Sequence, residues 1–172
     1  MEPGIPATIH QLARLIQGQL SAGDVAELRR LDPERPFTAA FWKLVAGCLV
    51  PAGHIPDGDS SLARERERRW AVILAGLAHL GDLHRSGTPL GRALAAVDYA
   101  ELRLQRLLRA SGAALFDQAL GAARFLSAKR QPADWTDAAF LILFEDGDGA
   151  ERSRRRLARD FFSQSSRQEH SE

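Results

Sequence analysis

Apolar residues recur along this chain every three or four positions, and no stretch alternates strictly between apolar and polar as a half-buried strand does. The spacing predicts a first helix over 8–20, with Leu12, Leu15, Ile16 and Gln19 or Leu20 facing inward. Ser21-Ala22-Gly23-Asp24 interrupts it, and Asp24 is placed to cap a second helix through Leu31. The rigid turn Asp32-Pro33-Glu34-Arg35-Pro36 comes next, followed by an apolar helix from Phe37 to Leu49. Prolines, glycines and aspartates, two of each, mark 51–61 as a loop. Asp59 or Ser60 can cap the long helix after it, from Leu62 to about Leu83. The first half of that helix, Arg64-Glu65-Arg66-Glu67-Arg68-Arg69, alternates in charge and reads as a solvated end with Glu65 paired to Arg69. Trp70 to Leu80 is apolar nearly all round and reads as a central core helix.

The second half continues the pattern. Arg85-Ser86-Gly87-Thr88-Pro89 is a break, with Thr88 capping a short helix that starts at Pro89. Asp98 is placed to cap a helix ending at Arg109, and Ser111-Gly112 separates it from a helix over 113–128. After Gln131-Pro132, Asp134 or Thr136 opens a short, very apolar helix ending near Phe144. Glu145-Asp146-Gly147-Asp148-Gly149 is an acidic turn into a last helix from Ala150 to Gln164, and a polar tail from Ser165 should fray. The expected fold is all-α, with eight or nine helices in one or two packed bundles: 1–85, 86–164 and a tail over 165–172. A chain of 172 residues buries about two thirds of its unfolded surface, so this core needs no staples.

Candidate chemistry is sparse. Cys48, the only cysteine, sits among Val45, Leu49 and Val50 and reads as a small buried hydrophobe. His79 and His84 are five apart, whereas helical metal pairs need three or four. The segment from Asp146 to Glu151 resembles part of a calcium loop but lacks its third acidic ligand and distal bidentate Glu. No phosphate-cradling glycine loop, nucleophile elbow or Cys–His pattern is found. The chain is therefore expected to be non-enzymatic, without a metal site or cofactor. Its start lacks a basic region followed by an apolar core, and its longest apolar run is too short for a bilayer, so a cytoplasmic location and no membrane partner are expected.

Charge changes the picture through placement rather than amount. A net charge of +1 argues against a histone-like binder that works by bulk positive charge. Yet all but two of the 23 basic residues are arginine, the exceptions being Lys43 and Lys129. Leu104, Leu107 and Leu108 share one helical face, and Arg103, Arg106 and Arg109 form an adjoining arc. In the last helix Arg152, Arg155, Arg156 and Arg159 fall in one arc opposite Leu157, Phe161 and Phe162, with Arg154 outside it. Glu151 can pair with Arg155, and Arg156 with Asp160. Surface pairs of this kind contribute about 0–1 kcal/mol and yield to a phosphate. Arg29 and Arg30 make a third cluster at a helix end. The guanidinium fork binds phosphate through two bonds at once. Two readings remain open: a grip on nucleic acid, or a helical adaptor whose arginines serve protein–protein contacts only.

One order of motifs is specific. Leu28-Arg29-Arg30 precedes Phe41-Trp42 in an apolar helix, then Leu90-Gly91-Arg92-Ala93-Leu94 and Leu104-x-x-Leu107-Leu108-Arg109. Asp134-Trp135 and an arginine-rich helix ending Asp160-Phe161-Phe162 complete it. From about Gly23 to Gln164 this order resembles the CasB family, the small subunits of type I-E Cascade, the CRISPR surveillance complex of antiviral defence. The resemblance implies a non-catalytic, all-helical subunit present in two copies along the belly of the complex. It implies packing against the crRNA-bearing backbone and the large subunit, with a basic surface that holds the R-loop open. The implied ligands are the displaced DNA strand and the guide–target duplex, gripped by their backbone because guide pairing supplies sequence choice. By position Arg29, Arg30, Arg92, Arg103, Arg109 and the last-helix arginines inherit this role. The acidic residues Glu145, Asp146, Asp148 and Glu151 depart from it: on the basic face they would repel phosphate, and facing a partner subunit instead they would move the last helix from strand binding to assembly.

Overall fold

The computed structural model describes residues 4–171, which form nine α-helices and no strand. Two units divide the chain, the first ending at Asp82 and the second starting at Leu83. In the first unit, α1 (Ile5–Gly18) begins earlier than its apolar spacing predicts because Pro6 occupies the first turn, where a missing N–H costs nothing. Ile9, Leu12 and Ile16 are buried, whereas Leu15 is half-buried and Gln19 exposed, since the helix stops at Gly18. The cap of α2 (Ala22–Arg29) is Ser21, whose hydroxyl accepts the Asp24 N–H at 3.1 Å. Asp24 itself lies in the first turn, where its charge suits the helix dipole.

The apolar segment after Pro36 splits. Phe37 stays outside, 77% exposed. Thr38 caps α3 (Ala39–Leu44), which continues as a π-helical turn over Val45–Leu49 closed by a Val50 N–H to Val45 carbonyl bond of 2.9 Å. Cys48 lies half-buried in that turn, and burial pushes its thiol up, which disfavours the reactive thiolate. Ser60 caps α4 (Ser61–Leu80) by accepting the Ala63 N–H at 3.0 Å. Trp70 through Ala78 are all buried against α1, α2 and the loop over 51–60. That loop is pinned by His54, hydrogen-bonded to the Thr8 hydroxyl at 2.7 Å with its ring 5.2 Å from Trp70. The charged start of α4 is internally paired as its alternation predicts: Glu65 holds Arg68 at 3.0 Å and Arg69 at 2.8 Å.

The second unit comprises α5 (Leu90–Ala96), α6 (Glu101–Arg109), α7 (Gly112–Ala128), α8 (Thr136–Leu143) and α9 (Asp148–Glu169). Neither Thr88 nor Asp98 caps a helix here. The Leu90 N–H donates instead to the Asp137 carboxylate at 2.9 Å, so α8 caps α5 from 47 residues away. Asp134 accepts the Gly87 N–H at 2.9 Å and the Thr136 N–H at 3.0 Å, binding the turn before α5 to the start of α8. Asp98 has φ of 58° and makes the turn into α6. The polar segment expected to fray from Ser165 remains helical to Glu169. Gln164, Ser165 and Gln168 are half-buried there and line one recess with Tyr99 and Ala100.

The tightest approach in this unit is between α5 and α9. Gly91 faces the α9 backbone: a Cβ there would strike the Leu157 carbonyl oxygen and lie 2.9 Å from the Asp160 Cβ and the Phe161 nitrogen. Leu90, Ala93 and Leu94 beside it and Leu157 and Phe161 opposite are buried. Backbone cannot yield as a flexible side chain does, so Gly91→Ala must push the two helices apart. Overpacking of this kind costs about 1–3 kcal/mol, which lowers the melting temperature of a unit this size by about 5–20 °C. Thermal unfolding followed by circular dichroism checks it; an unchanged midpoint means the helices do not touch at this residue.

Candidate nucleic-acid interface

The ten arginines singled out by the sequence do not share one environment. Arg29 and Arg30 end α2 in the first unit, and the other eight belong to the second. Arg29 donates from Nε to the Ala78 carbonyl at 3.0 Å, satisfying one of the orphan carbonyls of the last turn of α4. Arg30 is exposed and has no ion-pair partner among the described residues.

On α6 the apolar face folds as its spacing requires, with Leu104 and Leu107 buried and Leu108 half-buried. Arg103 turns towards the core side. Its guanidinium lies 4.8 Å from the Tyr99 ring centre and 5.3 Å from that of Phe125 on α7, a cation–π cage. Burial raises the Tyr99 hydroxyl and the Arg103 charge opposes that rise. Arg106 and Arg109 remain exposed, border a shallow groove of about 340 Å³ between α6 and α7, and meet no carboxylate among the described residues. Leu102, at 58% exposure, lines the same groove. Arg92 on α5 is likewise exposed and unpaired among the described residues.

On α9 the expected arc is exposed at all four positions, but its charges divide. Arg155 pairs with Glu151 at 2.9 Å, and Arg156 reaches Asp137 at 3.7 Å and Asp160 at 3.9 Å. Arg152 and Arg159 have no carboxylate partner among the described residues. Arg154, outside the arc, is half-buried and donates at 3.4 Å to the carbonyls of Ala110 and Glu145, tying the end of α6 to the turn before α9. Glu145 leaves the expected acidic cluster, for its carboxylate accepts the Gly112 N–H at 2.9 Å at the start of α7. Asp146 and Asp148 stay exposed at the entrance to α9.

Sequence spacing pointed to the Glu151–Arg155 and Arg156–Asp160 pairs but gave no signal for Asp137. Asp137 is half-buried, and its pKa is raised because burial outweighs the Leu90 N–H bond and the Arg156 charge, with Asp134 and Asp160 adding to the rise. Among the described residues no group of three or more His, Cys, Asp or Glu is placed to hold a metal ion, and no helix is long and apolar enough to cross a membrane. The arrangement thus offers exposed guanidiniums on α5, α6 and α9 to an anion, each helix fixed by packing.

Residues 24–162 match the family model described as CRISPR-associated protein Cse2. A chain in the crystal structure of E. coli Cascade bound to a PAM-containing dsDNA target superposes with a TM-score of 0.69 at 23% identity, covering 92% of this chain and 96% of that one. CasB from Thermobifida fusca superposes with a TM-score of 0.65 at 19% identity, covering 91% of this chain and 97% of that one. No curated protein sequence matches significantly. The two structural likenesses show the fold.

The Asp137–Arg156 contact gives a signed pH dependence. A carboxyl whose folded pKa is raised contributes its full stability below the ordinary carboxylate range and loses it as pH rises through the raised value. Arg156 is the charge that restrains this rise. Arg156→Gln should therefore move the Asp137 titration, followed by carboxyl NMR, to higher pH and make the acid-side loss of stability with rising pH larger. A shift to lower pH contradicts the contact.

Proposed function

The chain belongs to the CRISPR-associated Cse2 family, and on that premise we propose that it is the small, non-catalytic subunit of a type I-E Cascade complex, holding nucleic acid by its phosphate backbone. The exposed arginines neutralise phosphates of the displaced strand and of the guide–target duplex, which disfavours re-annealing of the target and stabilises the R-loop. Its partners are crRNA and target DNA, the backbone and large subunits of the complex, and a second copy of itself, in the cytoplasm. The observation that carries this reading is a set of five arginines in one unit, Arg92, Arg106, Arg109, Arg152 and Arg159, exposed and free of carboxylates among the described residues. Guanidiniums left over once internal pairing is complete are available to an external anion at little desolvation cost.

Arg103 has a mixed role in this proposal. Caged by two rings, it holds α6 to α7 and presents only part of its fork, so its loss acts on stability as well as on binding.

Salt dependence tests the proposal in the assembled complex. Each phosphate contact contributes about −0.7 to the slope of log affinity against log salt for a single strand and about −0.9 for a duplex. Replacing Arg106 and Arg109 with Gln, or Arg152 and Arg159, should flatten the single-strand slope by about 1.4 per pair and shorten R-loop lifetime with helicity intact. Replacing Arg64 and Arg68 with Gln is the charge-matched control, because Arg64 is already paired to Asp59 at 2.7 Å and Arg68 to Glu65 at 3.0 Å, and it should leave slope and lifetime unaltered. Slopes and lifetimes unmoved by both pairs would leave the adaptor reading in its place.

A further inference from the structure

Where α8 ends and α9 begins, the second unit carries a groove of about 420 Å³. Its wall is aromatic: Phe140 and Phe144 lie with ring centres 5.9 Å apart and planes inclined by 30°, and Phe144 is 38% exposed. Gly149 keeps the opposite side low, since it places no side chain over the rings. Arg152 and Arg156 border the groove. Arg152 has no carboxylate partner among the described residues. Arg156 is 61% exposed at its side chain, and its carboxylates at 3.7 and 3.9 Å lie beyond hydrogen-bond length, so its donors are not committed. The one remaining polar group, the Ser153 hydroxyl, is spent on the Gly149 carbonyl at 3.0 Å.

We propose that this groove takes one unpaired nucleobase of a single strand, stacked on Phe144, with the flanking phosphates on Arg152 and Arg156. The inference rests on the nucleic-acid reading of α9 and adds a chemical class to it. An aromatic wall beside two cations matches a nucleotide, which has a flat π-face and an anionic link within the same unit. An acidic protein side chain would use the arginines and leave the rings idle. Bases of an intact duplex are stacked on one another and do not reach such a groove, so it selects single-stranded nucleic acid. With the Ser153 hydroxyl engaged and both arginines on the phosphates, no other lining side chain among the described residues is left to read a base edge, and the groove accepts any base. Its volume falls in the range of small-ligand sites.

The test uses the full chain with a short DNA single strand carrying one 2-aminopurine, whose fluorescence falls on stacking, among otherwise abasic nucleotides. The wild-type chain should quench it. Phe144→Leu, with helicity checked by circular dichroism, should remove the quenching and weaken binding about five- to tenfold. Putting an abasic nucleotide in place of the 2-aminopurine should erase the difference between the wild-type and Leu chains. Replacing Arg152 and Arg156 with Gln should weaken both strands alike and flatten the salt dependence. If Phe144→Leu quenches as the wild type does while binding stays salt-dependent, the groove is overturned and the backbone grip stands. If the wild-type chain binds no strand, alone or in the complex, both fail. If Phe144→Leu weakens only assembly with protein partners, the occupant is a protein segment and the inference is overturned.

Discussion

The second unit depends on one place where two helices touch through backbone. Gly91 lets α5 approach α9 until the only tolerable side chain between them is a hydrogen atom. Dispersion falls steeply with distance, so backbone contact of this kind fixes separation more sharply than two facing leucines would. The contact sits midway along α9, between Leu157 and Phe161, and therefore sets the axis from which the α9 arginines project. The same helix is braced at its start, where Arg154 holds the Ala110 and Glu145 carbonyls. A cationic side chain on a helix so held arrives at an anion with its backbone already ordered, and less entropy is lost on contact.

A chain with almost equal numbers of acids and bases leaves arginines unpaired where acids are engaged elsewhere, and several of its acids are. Glu65 is shared by Arg68 and Arg69, Asp59 holds Arg64, and Glu34 holds Arg68 at 3.1 Å. Asp134 and Asp137 spend their oxygens on backbone N–H groups at helix starts, and Glu145 does the same for Gly112. Carboxylates used as caps still carry charge, but they do not draw the neighbouring guanidiniums into close pairs. The remaining unpaired arginines on α5, α6 and α9 follow from this allocation, and not from any excess in composition. Net charge is therefore a poor guide to what this surface attracts; the distribution of partners decides it.

What the sequence made legible was whatever a helix carries within itself. Apolar spacing and the breaks between helices pointed to eight or nine, and nine form among the described residues; the alternating charges of α4 paired as read, and the Leu104–Leu107 face is buried. The misplaced features need partners distant in the chain. The cap of α5 comes from α8, the cage of Arg103 is completed by Phe125 on α7, and Arg29 serves the last turn of α4. Each of these arginines looks, in sequence, like any other exposed basic residue. Tyr99, four residues before Arg103, was the one local sign that its guanidinium had somewhere else to lie. Gly91 stood in plain view within a leucine-rich helix, yet a helical glycine reads as a weak spot until the facing backbone is known.

The division between structural and available arginines also bears on how the surface works. Arg29, Arg103 and Arg154 each bond a carbonyl or stack on a ring, so a phosphate could engage them only by breaking a contact that holds helices together. Arg155 and Arg156 sit in exposed, weak pairs that a phosphate can replace at about the strength it removes. Arg92, Arg106, Arg109, Arg152 and Arg159 need release nothing. On the proposed reading, a polyanion arriving at α9 would meet a graded surface, with unpaired forks at Arg152 and Arg159 flanking Arg155, which must exchange its hydrogen-bonded partner, and Arg156, whose carboxylates lie beyond hydrogen-bond length. Exchange at Arg156 would remove the charge that restrains Asp137, whose carboxylate also caps α5. On the proposed reading, a phosphate at Arg156, midway along α9, and the cap at the start of α5 would thus be joined through a single guanidinium, which would couple occupancy of the surface to the packing that builds it.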